Sequence, residues 1–236
     1  MYHATQIESL HNRPIDGILV EPAGESGRPV EAMTIPCGPG SVLFYQGDDA
    51  EHFFEVLQGV VKLYMLTPDG RRQVTNFCFP GQFVGHGSEA LYPQTAEAVG
   101  SVVVRRYSRS SMERLLAEQP ALAHRLLQTT LDELVVAQDQ MLSLGRKTAI
   151  ERIASFFVRL SRRNRKADQA ASLLHLPMAR TDIADYLGLT PETVSRVFSR
   201  LKGLGVIALK SVNDIEIRDL DLLAELADDE TALVFN

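Results

Sequence analysis

Arg180–Arg200, RTDIADYLGLTPETVSRVFSR, decides the reading of this chain, because it divides into two short amphipathic helices around a glycine. Ala184, Gly188, Val194 and Val197 stand fifth, ninth, fifteenth and eighteenth in it, the spacing two closely crossing helices need. Ala184 is small where the backbones approach, Gly188 can take a positive φ in the turn, and Thr190 and Pro191 suit the cap and first turn of the second helix. Ile183, Leu187, Leu189, Val194, Val197, Phe198 and Leu201 form an apolar face. Glu192, Ser195 and Arg196, at i, i+3 and i+4, are left on a face the core does not use. A pair of helices built this way is a DNA-reading helix-turn-helix.

Charge supports that reading once it is divided along the chain. The 236 residues carry a net charge of −6, yet Arg146 to Lys210 hold 13 Lys or Arg against 5 Asp or Glu, leaving −14 for the remainder. A basic segment on an acidic protein concentrates phosphate attraction at one end, although solvated helix faces would give the same count. A hydrophobic content of 45% with 23% charged residues is ordinary for a soluble globular protein of two modest domains. No apolar run reaches the roughly 18 residues of a membrane span, and MYHATQIESLHNRPID lacks the basic and apolar regions of a signal peptide. A cytoplasmic location with no membrane partner follows by elimination.

Working back from the helices, Met33 to Ser108 is punctuated by Gly40, Gly47, Gly59, Gly70 and Gly81, which fall 7, 12, 11 and 11 residues apart among Val, Phe, Tyr and Leu. Short antiparallel strands closing into a jelly-roll-like barrel are expected there. The clearest hairpin is VVKLYMLT-PDG-RRQVTNFCF, with Asp69-Gly70 as the turn and Val61, Leu63 and Met65 facing inward against Lys62 and Tyr64. Residues 1–32 read as a loose arm, 33–110 as the roll, 111–147 as a short helix and a long one, and 148–236 as the DNA-binding domain with an acidic, then apolar tail. The fold class is α+β.

The long helix, from about Ala121 to Arg146, carries Leu127, Leu131, Leu134, Gln138, Met141 and Gly145 at alternating steps of four and three, the seam of a two-stranded coiled coil with one polar position. The same stripe would serve an intramolecular core, but a helix of roughly 25 residues exceeds the usual length in a compact domain, which favours a parallel homodimer. Thr148 to Arg163 forms a further helix with Ile150, Ile153, Ala154, Phe157 and Leu160 inward. Beyond the helix-turn-helix, GVIAL and DIEIRDL suggest a wing hairpin and Leu220 to Leu226 a last helical turn.

The glycine-spaced roll, the long helix and a winged helix-turn-helix containing E-T-V-S-R together resemble the CRP/FNR superfamily of bacterial transcription regulators. The resemblance covers about Met33 to Leu226, and LPMARTDIADYLGLTPETVSR with FCFPGQFVG points to its FNR and FixK branch. It implies a homodimer on double-stranded palindromic DNA of the form TTGAT-N4-ATCAA, and RNA polymerase as a partner. It also implies control of microaerobic respiration and related anaerobic or nitrogen metabolism. The base-reading positions carried over are Glu192, Ser195 and Arg196, whose chemistry suits cytosine N4, a thymine methyl or base acceptor, and guanine O6/N7. Alternatively Glu192 serves only the helix dipole and Arg196 only a surface pair. Arg180, Thr181, Thr190, Ser199 and Arg200 are of the types that hold phosphates.

On the sensor side the expected cofactor is none. Cyclic-nucleotide members of the superfamily place a Gly-Glu-Leu turn and then an Arg-Ser pair on the ribose phosphate, where this chain has Gly81-Gln82-Phe83 and Tyr92-Pro93-Gln94-Thr95. Without the arginine, cyclic AMP loses its phosphate partner. FNR holds an iron-sulfur cluster through N-terminal cysteines, and no cysteine precedes Cys37 here. Cys37 and Cys78, 41 residues apart, make neither a metal pair nor a disulfide framework. Cys78 reads as a core residue, and Cys37, between Pro36 and Gly38, as a turn residue and the one candidate for a redox role. Two rival readings stay open. One is a regulator of the same fold gated by haem, through His52, His86 or Cys78, or by an unidentified small ligand. The other is a cupin-like enzyme, although His52 and His86 stand alone and no metal site is expected.

Overall fold

A computed structural model describes residues 32–86, 90–167 and 169–227. The expected N-terminal arm, apart from Ala32, and the acidic tail lie outside the described residues. Six antiparallel strands come first: β1 (Ala32–Cys37), β2 (Val42–Phe44), β3 (His52–Leu66), β4 (Arg72–Cys78), β5 (Phe83–Val84) and β6 (Thr95–Ser108). They pair in the order β1-β6-β3-β4, with β2 added to β6 and β5 to β3. The long strands β3 and β6 run side by side from His52 opposite Ser108 to Tyr64 opposite Thr95. Val56, Val61, Cys78, Val84, Val102 and Val104 are buried inside the roll.

Three sequence expectations change in the roll. Gly59 does not end a strand but sits inside β3, where the register with β6 shifts on both sides of Gln58. Its φ is +81°, and a Cβ there would collide with the Ser101 carbonyl oxygen, so the glycine marks a bulge. Cys37 is the last residue of β1, opposite Val102, rather than a turn residue. It is half-buried, and burial pushes its thiol pKa up, which disfavours the thiolate a redox role needs. Lys62, expected on the solvent face of its hairpin, is buried.

The burial of Lys62 follows from what packs on that hairpin. Helices α1 (Arg109–Glu118), α2 (Pro120–Arg146) and α3 (Ala149–Lys166) lead to a short strand β7 (Leu173–His175), then to α4 (Arg180–Leu187) and α5 (Pro191–Gly203). Strands β8 (Ile207–Leu209) and β9 (Asp214–Ile217) and helix α6 (Leu220–Leu226) complete the chain. The wing is three-stranded, β7-β9-β8, where the sequence showed a hairpin, because three residues are too few to display a period.

Helix α4 lies against β4. The Lys62 ammonium reaches Asp182 at 3.1 Å and Glu97 at 2.9 Å, and Arg72 reaches Asp182 at 2.8 Å and Asp185 at 2.7 Å. Beside these ions, Phe77 of β4 packs on Tyr186 of α4 with centroids 5.3 Å apart, and Tyr186 on Phe156 of α3 at 5.7 Å. Roll and DNA-binding domain therefore share one apolar core that includes Val60, Val74, Phe77, Phe156, Ile183 and Tyr186.

Removing one member of a buried ion cluster leaves its partners charged and dry. Lys62→Met is expected to lower the unfolding free energy by about 3 kcal/mol, measured by urea titration. A change below about 0.5 kcal/mol, the scale of an exposed pair, would show that the cluster is solvated.

Candidate nucleic-acid interface

The helix-turn-helix is α4 and α5. Gly188 closes α4 with φ 62° and ψ 43°, the left-handed conformation its position requires. A Cβ there would sit 2.9 Å from Leu144 Cδ2 and 3.4 Å from Arg152 Nη1. Leu189 N–H then donates to Ala184 O at 3.0 Å. Thr190 Oγ1 accepts from Thr193 N at 3.2 Å to cap α5, and Pro191 opens its first turn. Val194, Val197, Phe198 and Leu201 are buried beneath.

Arg152, which the sequence reading passed over, fixes this unit to the rest of the chain. Its guanidinium donates to Leu144 O at 3.0 Å and Lys147 O at 2.9 Å at the end of α2, and to Leu187 O at 3.0 Å in the turn. One side chain thus satisfies carbonyls that two helix ends leave without partners. No local pattern announces such a residue, because its acceptors come from the ends of two other helices.

Glu192, Ser195 and Arg196 are all exposed, on one side of α5. Ser195 Oγ donates to Pro191 O at 2.9 Å, and Arg196 Nη2 donates to Thr193 Oγ1 at 3.4 Å, so Arg196 lies along its helix with no carboxylate holding it. The Glu192 carboxyl is held below its ordinary pKa by backbone hydrogen bonding in the first turn, by Thr190 and by the Arg196 charge. Acceptor, hydroxyl and guanidinium present the mixed donor and acceptor set that base edges require.

The phosphate candidates divide. Thr181, Thr190, Ser199 and Arg200 are exposed around the triplet. Arg180 is half-buried, its guanidinium 3.8 Å from the centre of the Phe198 ring, and burial lowers its pKa. It therefore supports the back of α5 as well as lying at the start of α4.

The stripe on α2 is bare. Leu127, Leu131, Leu134 and Met141 are 55%, 47%, 53% and 67% exposed, and Gln138 is exposed among them. Val135 and Leu142, equally exposed, widen the stripe beyond the strict four-three pattern. Of the 27 residues in α2, Ser143 alone is buried. Such a helix spans about 40 Å, and the apolar stripe extends over most of that length.

The description "Crp-like helix-turn-helix domain" matches residues 151–226, and "cyclic nucleotide-binding domain" matches residues 35–119. The chain is 41% identical over 170 residues to the nitrogen fixation regulation protein FixK of Bradyrhizobium diazoefficiens, covering 72% of each. It is 37% identical over 195 residues to the transcriptional activatory protein AadR of Rhodopseudomonas palustris, covering 82% of each. The solved structure of FixK2 from Bradyrhizobium japonicum superposes with a TM-score of 0.75 at 37% identity, over 83% of this chain and 96% of that one.

Arg180→Gln is expected to lower stability by about 1 kcal/mol through the lost contact with Phe198. Thermal unfolding of Arg180→Gln beside Thr181→Ala checks it, since only the first loses a buried contact; equal melting temperatures would remove Arg180 from the packing.

Proposed function

The chain belongs to the CRP/FNR family of transcription regulators, and from that membership and the geometry of α5 we infer that it is a DNA-binding transcriptional activator of the FixK type. It works as a parallel homodimer joined along Leu127, Leu131, Leu134, Gln138 and Met141. The observation that carries this reading is the exposed triplet Glu192, Ser195 and Arg196 on a helix whose opposite face is locked. In a dimer the two copies of α5 enter successive major grooves about 34 Å apart, which demands a two-fold site with half-sites roughly ten base pairs apart. A TTGAT-N4-ATCAA-like palindrome fits the triplet: Arg196 on guanine, Glu192 on cytosine, Ser195 beside thymine. Arg180, Thr181, Thr190, Ser199 and Arg200 set the register on phosphates. The names of the relatives support activation and target genes in nitrogen fixation, the family resemblance extends these to anaerobic metabolism, and activation brings RNA polymerase as a partner.

Neither a cyclic nucleotide nor an iron-sulfur cluster takes part. The cavity of about 380 Å³ between the roll and α2 is lined by Phe44, Leu63, Asn76, His86, Tyr92 and Glu133 among others, with no Lys or Arg. His86 Nε2 is 3.0 Å from Glu133 Oε2, and the Tyr92 hydroxyl donates to His52 O at 2.8 Å and accepts from His52 N at 3.0 Å. The Glu133 carboxylate raises the His86 pKa and already holds that imidazole, so a phosphate placed there would meet a carboxylate and no free cation among the described lining residues, and these residues do not fit it. Cys78 is buried, with its thiol pKa pushed well up by burial. Among the described residues no cluster of His, Cys, Asp or Glu could hold a metal, which weighs against a cupin-like enzyme. Among them, too, no helix is long and apolar enough to cross a membrane.

Selection of the preferred duplex by purified, ligand-free protein tests the reading directly, and recovery of no symmetric site would sink it. Arg196→Ala is expected to lose roughly 1 to 3 kcal/mol on the palindrome and little on random DNA. Equal losses in gel-shift titrations would take Arg196 out of base reading. Leu131→Glu should convert the protein to monomers in sedimentation experiments and abolish palindrome binding; a dimeric Leu131→Glu would place the seam elsewhere.

A further inference from the structure

A second cleft, of about 390 Å³, opens where β4, α2, α3 and α4 meet. It adjoins the cavity beneath the roll, with which it shares Asn76, Glu133 and Val136, and opens on the other side of them. Its α2 wall carries Asp132, Val136 and Asp139, to one side of the Leu131 and Gln138 line, and meets the edge of the apolar stripe at Val135. The size is that of sites for small organic ligands.

The polar groups in this cleft are incompletely matched. On α3, Arg159 and Arg163 stand at i and i+4. The Arg163 guanidinium lies 3.9 Å from the centre of the Phe79 ring, and that of Arg159 lies 5.1 Å from Tyr186 and 5.6 Å from Phe156. Among the described residues neither arginine has a carboxylate within 4.0 Å. Two of the acids nearby are engaged elsewhere, Glu133 with His86 and Asp132 with Lys166 at 3.5 Å, and the third, Asp139, lies beyond 4.0 Å of either arginine. Burial lowers the pKa of Arg163, as expected for a cation without a counter-ion. The Tyr186 hydroxyl, in a residue only 1% exposed, faces the Arg159 guanidinium, which can only donate, and among the described residues it has no acceptor for its own proton. Buried hydroxyls are almost always satisfied, so one that is not marks a place for a missing acceptor.

We propose that this cleft binds a small organic acid, its apolar or aromatic body on Phe77, Val136 and Leu160 and its one acidic group held by Arg159 and Arg163, with the Tyr186 hydroxyl as a further donor. A guanidinium pair recognises carboxylate and phosphate alike. Asp139, on the α2 wall, repels a second negative charge, which selects monoacids. The site goes beyond the DNA-binding reading, which requires no ligand, and either can fail without the other. Because its walls come from both domains, an occupant stabilises their docking.

Ligand-observed NMR titrations of the full chain with benzoate, phenyl phosphate and the neutral isostere benzamide, at constant ionic strength, test the site. Benzoate or phenyl phosphate should bind and benzamide should not, and the tighter of the two acids identifies the headgroup. Arg159→Gln and Arg163→Gln should each weaken binding roughly tenfold, and Tyr186→Phe less. Should a variant unfold, the comparison of acid with amide on the unaltered protein still decides. Equal binding of benzamide, no binding of either acid up to roughly 10 mM, or unchanged affinity in both folded arginine variants would overturn the proposal.

Discussion

Two bodies joined by the short link between α2 and α3 would swing freely unless something fixed their angle, and the ion cluster of buried Lys62 and Asp182 with half-buried Arg72 and Asp185 does so. Ion pairs are directional where apolar contact is not, and their full strength is felt only when the geometry is met. The aromatic contacts of Phe77, Tyr186 and Phe156 would tolerate sliding; the charges do not. Arg152 applies the same constraint from the other side, tying the end of α2 to the turn before α5. The orientation of the DNA-reading helix is thus set by polar contacts made at a distance from it.

The architecture was legible because it is written locally. Gly188, Thr190 and Pro191 occupy consecutive roles in a turn, and Asp69-Gly70 a hairpin, so neighbours in sequence suffice to identify them. The α2 stripe was visible for the same reason, as a period within one element. What escaped was everything joining separate elements. Lys62 alternates with apolar neighbours as a solvent-facing residue should, and only α4, 120 residues later, turns that face inward. Gly59 signals a break whether it ends a strand or bulges one, and Cys37 lies one residue from the turn it was assigned to. Arg159, Arg163 and Tyr186 carry no signal in the sequence pattern, and the fold alone places them around one cleft.

Long helix α2 organises the molecule by giving different faces different tasks. One face is apolar and bare, another carries Glu133 to His86 of the roll, and its first turns pack Leu122 and Leu126 against Phe53, Phe83 and Tyr107. Nearby, Arg125 reaches the buried Glu55 carboxylate at 2.8 Å. A surface cation and a buried acid are thereby matched, and the helix gains a polar fixed point that sets its rotation about its own axis. The bare stripe faces outward because that rotation is fixed.

The acidic pair on α4 has an electrostatic consequence for DNA. Asp182 and Asp185 belong to the first helix of the reading unit, where negative charge opposes the approach of a phosphate backbone. Docked, they meet Lys62 and Arg72 of the roll, and since Lys62 also serves Glu97 the cluster of two cations and three carboxylates keeps one net negative charge where Asp182 and Asp185 alone would carry two. The roll therefore acts as a counter-ion for the DNA-binding domain: it offsets part of the negative charge that α4 alone would carry toward the duplex, and the field presented to DNA is a property of the assembled chain.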